Sequence, residues 1–210
     1  VGLAHLGAAG QVSEQTEDGN ARAGTMGMEP FVTKLMGKMT LEEKIGQLNL
    51  VVTGNVDTGT TMSKGMEDKL KRGEIGGMFG VWGTSSISRL QDAAVKNSRL
   101  HIPLIFGLDV IHGHRTIFPI PLGVSATWDM GLIEQSARAA AKEATAEGLN
   151  WVFSPMVDIA RDPRWGRISE GSGEDPWYAP QVAKAMLRGY QAKSMADADA
   201  VMALVNHFAL

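Results

Sequence analysis

Two short stretches of this sequence concentrate the side chains able to do chemistry. In the first, LIFGLDVIHGHRTIFPIPLG, Asp109 is followed by His112, His114 and Arg115 within an otherwise apolar segment. Three chemistries fit these residue types. Asp and His are good metal ligands, but their spacing here matches no standard zinc motif, so no metal or other cofactor is expected. A buried histidine that hydrogen-bonds a loop is a common structural device, and it suits His112. A carboxylate and an arginine on a pocket floor can grip adjacent sugar hydroxyls, because a diol offers neighbouring donors and acceptors. Asp109 fits that last chemistry best.

The second stretch, SPMVDIARDPRWGRISEGSGEDP, is denser. Between Asp158 and Asp175 it holds three arginines and five carboxylates, spaced by glycine and proline. So many charges cannot be buried unpaired. Most of them, including Asp158, Arg161, Asp162 and Arg164, are expected to pair among themselves and stiffen a long loop. A rigid loop beside a pocket can also aim one or two arginines at a substrate. Glu170 with Glu174 or Asp175 would supply two carboxylates for glycoside chemistry, but a loop sets no fixed separation between them.

The surrounding elements must position these groups. Short apolar runs at Leu48–Val52, Ile75–Phe79, Leu104–Leu108, Trp151–Ser154 and Val201–Val205 read as strands. Helical patterns alternate with them: Met62–Arg72, Ser85–Leu100, Met130–Glu147 and Tyr178–Gln191. Ahead of these, FVTKLMGKM has helical spacing, and Thr40-Leu-Glu-Glu reads as a capping box opening a short helix. Strands without polar alternation, separated by helices, predict an α/β fold with a parallel sheet buried on both faces.

The polar residues choose between an open doubly wound sheet and a barrel. Asp109, Asp158 and His207 each fall just past the C-terminal end of successive strands. A (β/α)8 TIM-type barrel draws its site from several strand ends. A doubly wound sheet concentrates its site at one switch point, usually with a glycine-rich phosphate loop after the first strand. No such loop follows Leu48–Val52. The expectation is a partial barrel of about five strands with intervening helices.

Bulk properties narrow the partners. A net charge of −3 disfavours nucleic acid and anionic membrane surfaces. The chain lacks cysteine, so disulfides and thiolate metal sites are ruled out. No run approaches the roughly 20 apolar residues needed to span a bilayer. The first residue is Val, which suggests a start inside a longer reading frame. Residues 1–30 are expected to be a flexible leader or the remnant of a signal peptide, with a mobile polar arm over residues 10–30. Residues 31–210 then form the barrel segment.

Five pieces in order, KMTLEEKIGQL, IPLIFGLDVIHGHRTIFPIPLG, ATWD, SPMVDIARDPRWGRISEGSGEDP and the final NHFA, resemble the N-terminal domain of glycoside hydrolase family three. The periplasmic β-glucosidase branch is the most similar, and DPRWGR…E…GED is the most specific piece. The resemblance implies a periplasmic or secreted enzyme that removes terminal β-D-glucosyl residues with retention of configuration. It implies that Asp109 binds sugar hydroxyls, with Arg115 and Arg167 sharing that subsite and Glu170 supporting Arg167. The family's Lys-His pair at the fifth strand end is here Asn206-His207, so the lysine's charge and three donors are missing.

The same resemblance implies no catalytic residue within these 210 residues. The nucleophilic Asp and the acid/base Glu are expected after residue 210, with the rest of the barrel and later domains, or a partner chain. The expected partner is a β-glucoside or oligosaccharide. Specificity as a β-xylosidase or exo-glucanase stays open, as does a catalytically inactive sugar-binding fragment.

Overall fold

The computed structural model describes residues 17–56, 59–61 and 65–207. By the density of its contacts the chain divides into two units, residues 1–40 and residues 41–210. In the first unit, α1 spans Glu17–Lys38 and contains Pro30. Residues 17–30 of the arm read as mobile lie in this helix, despite the rung of backbone hydrogen bonding that Pro30 forfeits, and residues 10–16 of it lie outside the described residues.

The second unit alternates strands and helices much as its apolar periodicity predicts. Its elements are α2 (Leu41–Gln47), β1 (Leu50–Val52), β2 (Gly54–Val56), β3 (Gly59–Thr61), α3 (Met66–Lys71), β4 (Gly77–Phe79) and α4 (Thr84–Asn97). There follow β5 (Ile105–Leu108), α5 (Pro121–Ser125), α6 (Met130–Ala146), β6 (Trp151–Val152), α7 (Tyr178–Gln191) and β7 (Met202–Ala203). The antiparallel β2–β3 hairpin, α5 and two 3-10 turns at Pro163–Trp165 and Ile168–Glu170 have no counterpart in the sequence reading. Each is too short for a hydrophobic period to show.

The main sheet is parallel, in the order β1-β4-β5-β6-β7. The order never reverses. A doubly wound sheet reverses at its switch point, whereas a barrel adds each strand beside the last. Met78, Phe106 and Val152 lie on one face and are fully buried under the helices. That layer includes Leu70, Leu90, Ala140, Ala141, Ala144 and Tyr190.

The opposite face is just as apolar but more open. Phe79 packs edge-on against Phe153 at 5.0 Å, and Trp151 tilts against Phe153 at 4.5 Å. Val52 and Ile105, on the same face, are 70% and 41% exposed. Burial of both faces, expected from the lack of polar alternation, thus holds for the helix side only. The apolar character of the second face fits a barrel interior, which is filled by side chains.

Helices α6 and α7 pack closely because of Gly189: a Cβ there would sit 2.4 Å from the Glu134 carbonyl oxygen. Arg138 ties the same region together, donating to the carbonyls of Gly189 at 3.1 Å and Asp199 at 2.6 Å. Asp129 opens α6 by accepting from the Leu132 N–H at 3.0 Å, a side-chain cap. Among the described residues no helix is long and apolar enough to cross a membrane.

Candidate sugar-binding site

Asp109 comes directly after β5, Asp158 six residues after β6 and His207 four residues after β7, all beyond C-terminal strand ends. Main-chain hydrogen bonds fix the last two segments to each other. Val157 N–H donates to the Asn206 carbonyl at 2.8 Å, and Asn206 N–H donates to the Pro155 carbonyl at 3.0 Å. These bonds prolong the β6–β7 pairing as an isolated bridge between Met156 and Asn206.

A connected set of charged groups grows from this frame. His207 donates from its main-chain N–H to Asp158 Oδ2 at 3.2 Å, and its Nδ1 meets the same oxygen at 3.1 Å. Its Nε2 stands 3.5 Å from Arg167 Nη1. Arg167 in turn grips Glu170 with two parallel bonds, Nε to Oε1 at 2.9 Å and Nη2 to Oε2 at 2.7 Å. Such a fork is stronger and more directional than a single bond. Hydrogen bonding from Arg167 holds the Glu170 carboxyl below its ordinary range.

Asp109 completes the set differently. It has no hydrogen-bond partner among the described residues. Its carboxyl is pushed up, first by desolvation and then by the negative charge of Glu170, with Arg167 pulling the other way. More than a third of its surface is open to solvent, so the desolvation comes from crowding by neighbouring atoms. A carboxylate partly stripped of water and left unpaired is a ready acceptor for ligand hydroxyls.

The neighbouring loop behaves otherwise. His114 Nε2 meets Glu147 Oε2 at 2.8 Å, and the Arg115 guanidinium closes on Glu147 Oε1. The main-chain N–H groups of Arg115 and Thr116 both donate to Glu143 Oε2 at 2.8 Å, and the Thr116 hydroxyl donates to Glu143 Oε1 at 2.6 Å. Burial raises the Glu147 carboxyl, but hydrogen bonds from His114 and Arg115 outweigh it and the net shift is downward. His112 Nδ1 lies 3.0 Å from the Phe118 carbonyl, in keeping with the loop-bracing role. Asp109, His112, His114, Arg115, Trp82 and Glu147 line one open cleft.

The structure therefore brings Asp109, Arg167, Glu170, Asn206 and His207 together, and places Arg115 along the adjoining cleft with its guanidinium on Glu147. The Asn206 amide donates to Met156 Sδ at 3.2 Å, a weak acceptor. Two members of the acidic-loop alternative, Glu170 and Asp175, have internal partners. Asp175 accepts the Trp177 N–H at 2.8 Å at the start of α7, and Glu170 is held by Arg167. Of the expected ion-pair network, Arg164 pairs with Asp162, while Arg161 makes no ion pair among the described residues.

Asp158 is the residue the sequence reading misplaced: it serves His207 and not an arginine of its own loop. Glu143 and Glu147 were not singled out at all. Their four-residue spacing puts both on one side of the C-terminal end of α6, with Glu147 as its C-cap, which is a legible signal for two carboxylates sharing a target. Among the described residues no three metal-ligating side chains converge.

Residues 40–209 match the model of the glycosyl hydrolase family 3 N-terminal domain. The chain is 42% identical, over 86% of its length, to a periplasmic β-glucosidase of Salmonella typhimurium, of which it covers 23%. It is 28% identical over 92% of its length to a putative β-xylosidase of Formosa agariphila, covering 28% of that protein. Among solved structures, a β-glucosidase of Listeria innocua in complex with isofagomine superposes with a TM-score of 0.74 at 36% identity, over 85% of this chain and 25% of that one. The chain thus spans about a quarter of the length of these relatives. The five parallel strands in unbroken order correspond to part of their TIM-type barrel. With its strand-end carboxylates and DPRWGR loop, this chain belongs to glycosyl hydrolase family 3, within the N-terminal domain.

Proposed function

We propose that the whole enzyme removes terminal non-reducing β-D-glucosyl residues with retention, and that this chain holds the sugar while other parts attack it. The observation that carries the reading is Asp109: an unpaired, partly desolvated carboxylate at a barrel strand end, beside an arginine already gripped by Glu170. Asp109 accepts from sugar hydroxyls and Arg167 donates to them. His207 and Asn206 border the same subsite, and Arg115 lines its approach from the Glu147 side.

In this reading the nucleophilic Asp and the acid/base Glu follow residue 210, and residues 31–210 are the front of the barrel behind a leader at residues 1–30. The chain's own contribution is orientation. Holding the ring in a near-attack pose removes much of the entropic cost of the bimolecular step. Contacts that tighten as the ring flattens toward an oxocarbenium ion add transition-state binding. The name of the Salmonella relative supports a periplasmic or secreted location.

A second reading, β-xylosidase specificity, draws on the similarity to a protein of that name. The test is to compare kcat/KM of the whole enzyme on aryl β-glucoside and aryl β-xyloside, and to follow the anomer first released by proton NMR. Preference for glucoside with β-glucose released first is the expected result. Preference for xyloside, or α-glucose released first, overturns the reading.

A further inference from the structure

His207 is caught between two groups that make opposite demands on its ring. On one side, Asp158 Oδ2 lies 3.1 Å from Nδ1 and also takes the main-chain N–H of His207 at 3.2 Å. The Asp158 side chain is only 9% exposed. An ionised carboxylate only accepts hydrogen bonds, so the nitrogen facing it carries the proton. On the other side, Arg167 Nη1 lies 3.5 Å from Nε2. A guanidinium only donates and does not lose its proton, so the nitrogen facing it presents a lone pair.

We propose that Asp158 is a positioning residue that fixes His207 as the Nδ1–H tautomer, making Nε2 a hydrogen-bond acceptor in the sugar subsite. The proposal rests on the reading of this cluster as a sugar site. It gives the subsite a definite polarity. Asp109 and His207 Nε2 accept, and Arg167 donates, so a hydroxyl bound between His207 and Arg167 gives its proton to the first and takes one from the second. A doubly protonated ring would instead set an N–H against the guanidinium. Asp158 also carries the geometry: one oxygen holds both the ring and the backbone of the residue that follows β7, across to the segment that follows β6. Losing the hydrogen bond that Nε2 accepts should cost up to about ten-fold in affinity, the scale of one hydrogen bond.

The experiment is nitrogen NMR of the whole enzyme labelled with 15N-histidine, the His207 signal assigned by its loss in His207→Gln. The expected spectrum at neutral pH has a pyrrole-type Nδ1 and a pyridine-type Nε2. In Asp158→Asn the two tautomers should mix and the Kd for glucose should rise by about ten-fold; Asp158→Glu should restore part of both. A wild-type ring that is Nε2–H or doubly protonated overturns the proposal without any variant. So does an Asp158→Asn enzyme whose ring and glucose affinity are unchanged. If the wild-type enzyme fails to bind glucose, the sugar-site reading falls, while the nitrogen shifts still decide what Asp158 does.

Discussion

Two clusters within this chain use the same vocabulary of one histidine, one arginine and acidic partners, and they reach opposite ends. In the cluster on α6, Glu143 and Glu147 are saturated by the His114–Thr116 loop, and both carboxyls are held low by the hydrogen bonds they accept. In the strand-end cluster, Glu170 is saturated by Arg167, but Asp109 is left over and its carboxyl is pushed up. The first is closed: every charge has an internal use. The second is open by one acceptor. A protein that leaves a crowded carboxylate unpaired gives up stability there, and such exceptions gather where a ligand completes the bonding.

The largest expected effect follows from that open acceptor. In the whole enzyme, Asp109→Ala should lower kcat/KM on aryl β-glucoside by a factor of about 100 or more, the scale of a charge-assisted contact made in the transition state. Kinetics within a few-fold of wild type would erase the distinction between the clusters, since Asp109 would then be an idle surface charge.

Glu143 tests the closed side. Glu143→Ala removes three hydrogen bonds to the Arg115–Thr116 loop without touching the strand-end set. These bonds are solvent-accessible, so the loss should be modest, about 1–2 kcal/mol, seen as a drop of a few degrees in Tm. kcat/KM should stay within about five-fold, because the loop braces the cleft while Asp109 is placed by the end of β5, which it directly follows. A collapse in kcat/KM comparable to that of Asp109→Ala would show that the two clusters act as one.

The difference between the clusters was only partly legible in the sequence. Strand-end positions of Asp109 and His207 could be read because apolar runs of four or five residues mark parallel strands, and polarity resumes where they end. Arg167 and Glu170 stood out through the specificity of the DPRWGR loop. The pairing of Asp158 with His207 could not be read, because it joins residues 49 apart in sequence through the β6–β7 bridge. Local composition instead offered Asp158 three nearby arginines. The tie of Arg115 to Glu147 was hidden for the same reason, since it joins a loop to the end of a helix 32 residues on. Periodicity reports which face of an element is buried; it does not report which charges meet across elements.

The smallest expected effect is also the one that separates an open cluster from a closed one without any substrate. The Asp109 carboxyl is raised in the folded state above its ordinary value. A carboxyl shifted in that direction contributes stability that is fully present below the unfolded pKa of about 3.9 and is lost as pH rises through the folded value. At neutral pH the ionised side chain therefore costs stability. Asp109→Asn keeps the shape and cannot ionise, so it should raise Tm at pH 7, and the gain should vanish near pH 4. Solvent screening of this exposed group, with Arg167 nearby, holds the gain to roughly 1 °C. Glu170 shifts in the opposite direction and is present in both proteins; the variant also relieves the repulsion between the two carboxylates, which acts in the same direction as the loss of the Asp109 charge. Thermal unfolding of the whole enzyme and its Asp109→Asn variant at the two pH values supplies the measurement. A lower Tm for the variant at pH 7 would mean that Asp109 is already paired in the folded protein, and that the strand-end cluster is as closed as the one on α6.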